Sequence, residues 1–447
     1  MNIGFVHLGC SKNLIDTEMA IGLFKNNNFT VVKDVEKAEI IAINTCGFIE
    51  PAKEEAINTI LEMAEYKKTG ECKYIIVMGC LVERYLKELK KALPEVDLFI
   101  PIKDYDHFFD KVNELLKKEK KGKGKKEDSK NRKVKNYNLS YLDRVISTGK
   151  TTTYLKIAEG CSNRCTYCAI PYIRGPFVSR PMEEILEEAK KLAKDGYKEI
   201  IVIAQDTTKY GIDIYGKSML PELLEKLCKI EGFKWIRFLY SYPESITKEL
   251  IEVVKNNDKI CKYFDIPIQH ISNKVLKRMN RKTTGEEIRK IIESIKKELP
   301  EAILRTSLIV GFPGETEEQF NELYNFVKEA KFDKLGVFTY SKEDGTPAAR
   351  LKDQIHYKTK QRRYNKIMSL AQEISKKKLE EHIGKELEVV IENETFDNKY
   401  YIGRTYMDIP DEDGVIFLKN ERDLKLGTFA KCKITDVREY DLIGKIV

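Results

Sequence analysis

The apolar positions follow three patterns in succession along the chain. Over residues 1–116 the runs IGFVHLGC, EIIAINTC and YIIVMGC alternate with stretches such as LIDTEMAIGLFK and AKEEAINTILEMAEY, whose apolar residues recur every three to four positions. That alternation predicts a doubly wound α/β domain built on a parallel sheet. From about residue 151 to 349 six strand-then-helix units follow, with predicted strands at TYLKIAEG, KEIIVIAQD, KWIRFLYSYP, YFDIPIQH, ILRTSLIVGFP and KLGVFTYS. Eight units would close a barrel; six predict a partial (β/α)6 barrel with its ligand edge at the strand carboxyl ends. A polar helix over about 358–382 leads out of it. ELEVVIENE, YYIGRTYM, DGVIFLKN, FAKCKITDV and LIGKIV then read as the strands of a small five-stranded β-barrel of the oligonucleotide-binding type. The expected domains are 1–116, a linker over 117–146, the central barrel with its exit helix over 147–378, and the terminal barrel over 379–447.

With 447 residues the chain is too long for one core. No run approaches the roughly 20 apolar residues of a membrane helix, and no membrane partner is expected. The start lacks the basic-then-apolar pattern of a secretory leader, so a cytoplasmic protein is expected. In a reducing compartment ten cysteines are more suited to metal or redox chemistry than to disulfides. The net charge of +8 is local: residues 117–135 hold eleven Lys or Arg against three acids, the composition of a basic, flexible linker. Residues 380–447 reverse the sign, with sixteen Asp or Glu against ten Lys or Arg.

Cys161, Cys165 and Cys168 form a C-x3-C-x2-C triplet in GCSNRCTYC, directly after the first barrel strand. Three thiolates on one tight loop can hold three corners of a 4Fe-4S cube and leave the fourth iron exchangeable. Structural zinc is the alternative, but it normally takes four closed ligands, and no fourth lies nearby in sequence. Cys10, Cys46 and Cys80 close the three apolar runs of the amino-terminal domain. Parallel strands share a carboxyl edge, so three cysteines distant in sequence are expected to meet there. A second cube with its own open iron would have room for an external sulfur ligand.

The triplet spacing and the barrel segment resemble the radical S-adenosylmethionine (SAM) enzymes. That resemblance implies that SAM chelates the open iron and that an electron from the cluster cleaves it to a 5′-deoxyadenosyl radical. Gln205, Asp206, Gln269 and the GFPGE turn from Gly311 to Glu315, at other strand ends, are then the candidates to hold the nucleoside. HLGCSKNLIDTE, NTCGFIEPAKEE and MGCLVERY, the core EGCSNRCTYCAIPYIRGPFVSRP and the final domain, similar to the one called TRAM, together resemble the radical methylthiotransferases over essentially the whole chain. GCSKN, CGFIEPAKEE, AQDT, DIPIQHIS, LKRMNR and RTSLIVGFPGET are similar to the branch that methylthiolates the β-carbon of an aspartate in small-subunit ribosomal protein S-twelve.

The resemblance implies two 4Fe-4S clusters, one SAM as methyl donor and one as radical source, and an electron donor such as a flavodoxin or ferredoxin. The acidic terminal domain leans toward the same substrate, because phosphate contacts call for Lys and Arg whereas ribosomal proteins are basic; nucleic acid is not the expected substrate. The competing readings are a methylthiotransferase acting on tRNA adenosine and, from another class, a non-catalytic iron-sulfur RNA-binding or scaffold protein. Cys72, Cys228, Cys261 and Cys432 follow no ligand spacing and read as packing. His7 and His270 read as structural, Tyr167 as either lining the cluster or packing, and Trp235 as core.

Overall fold

In a computed structural model that describes residues 1–122, 139–420 and 423–447, the chain divides into two compact units. The first comprises Met1–Ser147, Gly160–Ser162 and Cys168–Pro176; the second comprises Thr148–Glu159, Asn163–Tyr167 and Phe177–Val447.

The first unit is built on a parallel sheet of β1 (Asn2–His7), β2 (Thr30–Val32), β3 (Ile40–Thr45), β4 (Tyr74–Gly79) and β5 (Leu98–Ile100), in the order β2-β1-β3-β4-β5. β3 and β4 are buried at every position, which is why their sequences are apolar but for Asn44 and Thr45 at the end of β3 and Gly79 at the end of β4. The side-chain alternation still sorts two cores. Ile41, Ile43, Ile75 and Val77 pack with Ile60 and Met63 of α2 (Glu50–Thr69) and Leu81 and Leu89 of α3 (Cys80–Ala92). Ile40, Ala42, Ile76 and Met78 pack with Leu23 and Phe24 of α1 (Ser11–Asn26) and Phe108 and Val112 of α4 (Phe108–Gly122). Helices thus cover both faces, as expected of a doubly wound domain. The two edge strands, three residues each, are too short to show in the apolar pattern.

Helix α4 runs on to Gly122, and residues 139–147 return to the first unit and lie along α1. There Arg144 forms a fully buried ion pair with Glu18 at 2.7 Å, and Ser147 donates twice to the same carboxylate. Residues 123–138, the basic center of the expected flexible linker, lie outside the described residues.

All six expected barrel strands are present: β6 (Thr152–Lys156), β7 (Glu199–Ile203), β8 (Trp235–Phe238), β9 (Tyr263–Asp265), β10 (Ile303–Val310) and β11 (Lys334–Thr339). They pair in parallel as β6-β7-β8 and β9-β10-β11, and a parallel bridge from Ile236 to Ile260 joins the two sets into an open barrel. The exit helix spans Tyr357–Glu380. Five strands, β12 (Glu386–Glu394), β13 (Tyr400–Arg404), β14 (Ile416–Lys419), β15 (Phe429–Val437) and β16 (Leu442–Ile446), close into the terminal barrel in the order β12-β13-β14-β16-β15.

The terminal barrel docks on the strand amino ends of the open barrel, away from its ligand edge. Glu199 at the start of β7, wholly buried, binds Arg237 of β8 at 2.9 Å and Arg404 of β13 at 2.6 Å. Lys334 pairs with Asp408, and Tyr263 donates to Asp413. Trp235, expected as ordinary core, packs edge-on against Phe429 across this seam.

Candidate metal centers

Cys10, Cys46 and Cys80 follow β1, β3 and β4, three neighboring parallel strands, and so stand along one sheet edge. Cys10 caps α1, Cys46 directly follows β3, and Cys80 opens α3. Two glycines make the approach possible, each at φ +102°, where a side chain is strained. A Cβ on Gly9 would sit 3.0 Å from Cys46 Cβ, and one on Gly79 would collide with Asn44 and the backbone of Thr45.

The three thiols sense one another. Burial pushes the Cys80 thiol up to about 12, with Cys10 and Cys46 adding to the rise and Arg174 opposing it. Burial likewise raises Cys46. Thiols in this condition lose their protons only to a partner that supplies positive charge, as a metal center does. Among the described residues no three His, Cys, Asp or Glu gather as the ligands of a single ion. Three thiols along one sheet edge are the donor set that a cube with one open corner takes.

Arg174 was not expected from the sequence. It follows the triplet by six residues, belongs to the first unit and is buried. Its guanidinium pairs with Asp16 at 2.8 Å, donates to Asn13 Oδ1, and lies 3.6 Å from Cys80 Sγ. Cys80 in turn donates to Asn13 Oδ1 at 3.3 Å and packs with Ala169 and Ile173. The segment that follows Cys168 is therefore seated on Cys80. The only signal in the sequence was a basic residue in IPYIRG, which pattern alone does not place.

Cys161 and Cys168 belong to the first unit, where the Cys161 amide donates to Gly175 O, and Cys165 belongs to the second. The surroundings of Cys165 are polar. Tyr242 Oη lies 3.9 Å and Arg281 Nη1 4.0 Å from its sulfur, with Arg281 stacked on the Tyr242 ring. Asn163, between Cys161 and Cys165, donates to Asp206 at 2.8 Å.

The strand carboxyl ends hold the remaining candidates in different ways. Gln205, half-buried, donates to Glu159 at 3.0 Å, and Glu159 pairs with buried Lys156. Asp206 is buried and fully engaged with Asn163 and Thr208, so it braces the cysteine loop. Gln269 has φ +67°, and Tyr240, two residues past β8, has φ +63°; such strain in non-glycine residues concentrates at ligand sites. At the GFPGE turn, the Glu315 carboxylate accepts from the Gly311 and Phe312 amides and pairs with Arg363 of the exit helix at 3.2 Å. Burial nonetheless raises Glu315 to about 7. Its side chain serves the turn, and Gly311, at φ +70°, lies so close under the Lys360 side chain that a Cβ there would collide with it.

The residues set aside are structural. Cys72, Cys261 and Cys432 are buried and Cys228 half-buried. His7 contacts Thr17, and His270 is fully buried, kept neutral by burial at about 3, with Nδ1 accepting from the Ser272 amide. Tyr167 packs beside Val275, Met279 and Phe312. The acidic excess of the terminal barrel is partly internal: Glu388, Glu392, Asp408, Glu412 and Asp413 pair with Lys234, Arg404, Lys334 and Arg305. The charge argument for substrate choice is correspondingly weaker than the count suggests.

The barrel matches the radical SAM superfamily over residues 155–327, the final domain matches the TRAM domain over 383–447, and residues 2–101 match a family described as uncharacterized protein family UPF0004. Solved structures agree on the fold. The radical SAM methyltransferase TsrM from Kitasatospora setae aligns with a TM-score of 0.55 at 12% identity, over 78% of this chain and 76% of that one. The cobalamin-dependent radical SAM enzyme OxsB aligns at 0.51 and 14%, over 82% of this chain and 56% of that one. Fold and thiol placement thus define a radical SAM protein with an α/β domain before the barrel and a TRAM domain after it.

Sequence relatives narrow the class. The ribosomal protein uS12 methylthiotransferase RimO of Alkaliphilus oremlandii is 60% identical, covering all of this chain and 99% of the relative. Those of Clostridium botulinum and Acetivibrio thermocellus are 53% and 49% identical, each over all of this chain and 98% of the relative. The chain belongs to the RimO family of methylthiotransferases. Among the described residues no helix is long and apolar enough to cross a membrane.

Proposed function

We propose that this protein is a radical SAM methylthiotransferase that installs a methylthio group on the β-carbon of an aspartate in ribosomal protein uS12. One observation carries the reading: Cys80 packs against the segment that follows Cys168 and lies 3.6 Å from its Arg174, and five of the six candidate ligands belong to one compact unit. The relatives support the substrate. When bound, a cube on Cys161, Cys165 and Cys168 with SAM supplies a radical able to break an unactivated C–H bond, and a second on Cys10, Cys46 and Cys80 supplies the sulfur.

The chain's own groups have narrower tasks. Asp206 and Asn163 fix the loop between Cys161 and Cys165. Gln205, Gln269 and the Gly311 backbone offer polar contacts for the nucleoside, while Glu315 and Arg363 keep the turn in shape. No side-chain base is assigned to the C–H bond, because an unactivated carbon has no usable acidity. A small one-electron carrier of the flavodoxin or ferredoxin type serves as reductant.

The closest rival is the same chemistry on tRNA adenosine. Anaerobic enzyme, SAM and reductant are incubated in parallel with uS12 and with unmodified tRNA, and both products are weighed. A methylthio mass gain on an aspartate-containing peptide of uS12, with tRNA unchanged, is the expected result; gain on tRNA alone overturns the assignment. Reduction without any 5′-deoxyadenosine, in protein that carries its iron, would favor the non-catalytic reading.

A further inference from the structure

A buried guanidinium beside a cysteine that is to carry a cluster has consequences beyond packing. Arg174 reaches Cys80 Sγ at 3.6 Å, while Asp16, itself buried, holds the other side of the guanidinium at 2.8 Å. Asn13 links the two, accepting from both Arg174 and Cys80. Its side-chain amide is fixed in turn by Thr45 O and Leu8 O, and its own carbonyl accepts from Asn44. The charge is thus immobilized at one corner of the triad. Hydrogen bonds to the sulfurs and net local charge are two levers by which a protein sets an iron-sulfur potential.

We infer that Arg174 is a positioning residue that sets the reduction potential of the center on Cys10, Cys46 and Cys80, with Asp16 as the opposing charge that limits its effect. The inference rests on the proposed function, which places a cluster on those thiols. Reduction adds negative charge, which a nearby guanidinium favors and a nearby carboxylate disfavors. Removing Arg174 therefore lowers the potential, and neutralizing Asp16 raises it. Opposite signs from two residues in one contact are not produced by loosened packing, which acts the same way for both.

The test uses the full chain with Cys161, Cys165 and Cys168 changed to alanine, so that one center remains, and follows its reduction by electron paramagnetic resonance at controlled potentials. This parent is compared with versions also carrying Arg174→Gln, Arg174→Lys or Asp16→Asn. About four irons per chain are expected in each. At a fixed potential the reduced-to-oxidized ratio should fall about tenfold for Arg174→Gln, a shift of about 59 mV for one electron. Arg174→Lys should keep most of the parent value, and Asp16→Asn should move the ratio upward. Unchanged ratios with iron retained, or shifts of the same sign for Arg174→Gln and Asp16→Asn, overturn the inference alone. If Arg174→Gln does not load iron, the lysine and Asp16→Asn comparisons decide. A parent that binds no iron overturns the proposed cluster, and the inference with it.

Discussion

Changing Cys10, Cys46 and Cys80 together to alanine is expected to abolish methylthio transfer to uS12 while 5′-deoxyadenosine still forms on reduction. Changing Cys161, Cys165 and Cys168 instead should abolish both. The asymmetry follows from where the thiols stand. The amino-terminal three occupy the edge of a doubly wound sheet with two cores of its own, and none of the contacts of Cys165 with Tyr242 and Arg281 depends on them. Loss of transfer should be to background, because an enzyme typically supplies a rate factor of roughly 10⁶ or more and no other group here can replace it. Liquid chromatography for 5′-deoxyadenosine and mass spectrometry of uS12 read the two outcomes separately. Loss of both products in the amino-terminal variant, with its barrel iron intact, would contradict the division of labor.

Glu199→Gln should be among the most destabilizing single substitutions in the chain, although it lies far from either set of cysteines in sequence. Glu199 is wholly buried between Arg237 and Arg404, themselves buried, and burial alone would raise its pKa. The two guanidiniums overcome that and hold the carboxyl at about 2, against 4.5 when unperturbed. Neutralizing it leaves Arg237 without its carboxylate: Arg404 retains Glu392, while the other hydrogen-bond acceptor of Arg237 among the described residues is the Tyr406 carbonyl. Breaking such a buried pair costs about 3–5 kcal/mol. Calorimetry should show the terminal barrel melting earlier, and proteolysis should release it.

The sign in pH follows from the depressed folded value. The stabilization is complete above about pH 4.5 and is lost as pH falls toward 2 in the parent, while the Glu199→Gln protein lacks that component throughout. An unchanged melting profile for Glu199→Gln would show that the seam contributes nothing.

The parts legible in the sequence were those governed by local pattern. Apolar runs gave β3 and β4, and the six barrel strands followed from strand-helix periodicity; spacing singled out Cys161, Cys165 and Cys168 as candidates, and strand-end position Cys10, Cys46 and Cys80. What stayed hidden depends on partners distant along the chain. β2 and β5 are too short to carry a pattern, and they exist because neighboring strands supply their hydrogen bonds. Arg174, Arg281 and Arg404 look like surface residues until the fold supplies Asp16, Tyr242 and Glu199. Counting acids in the terminal barrel misled for the same reason, since Asp408 and Asp413 face Lys334 and Arg305 and not solvent. Asp206 and Glu315 were rightly placed at strand ends, but their carboxylates are engaged by Asn163 and by the turn amides.

The most direct measurement is iron and acid-labile sulfide per chain in anaerobically purified protein, in the parent and in each triple-alanine variant. Two independent cubes require about eight irons in the parent and about four in each variant, with matching sulfide. About four in the parent, falling to none when Cys161, Cys165 and Cys168 are changed and staying put when Cys10, Cys46 and Cys80 are changed, would leave a radical enzyme without a sulfur donor and contradict the account.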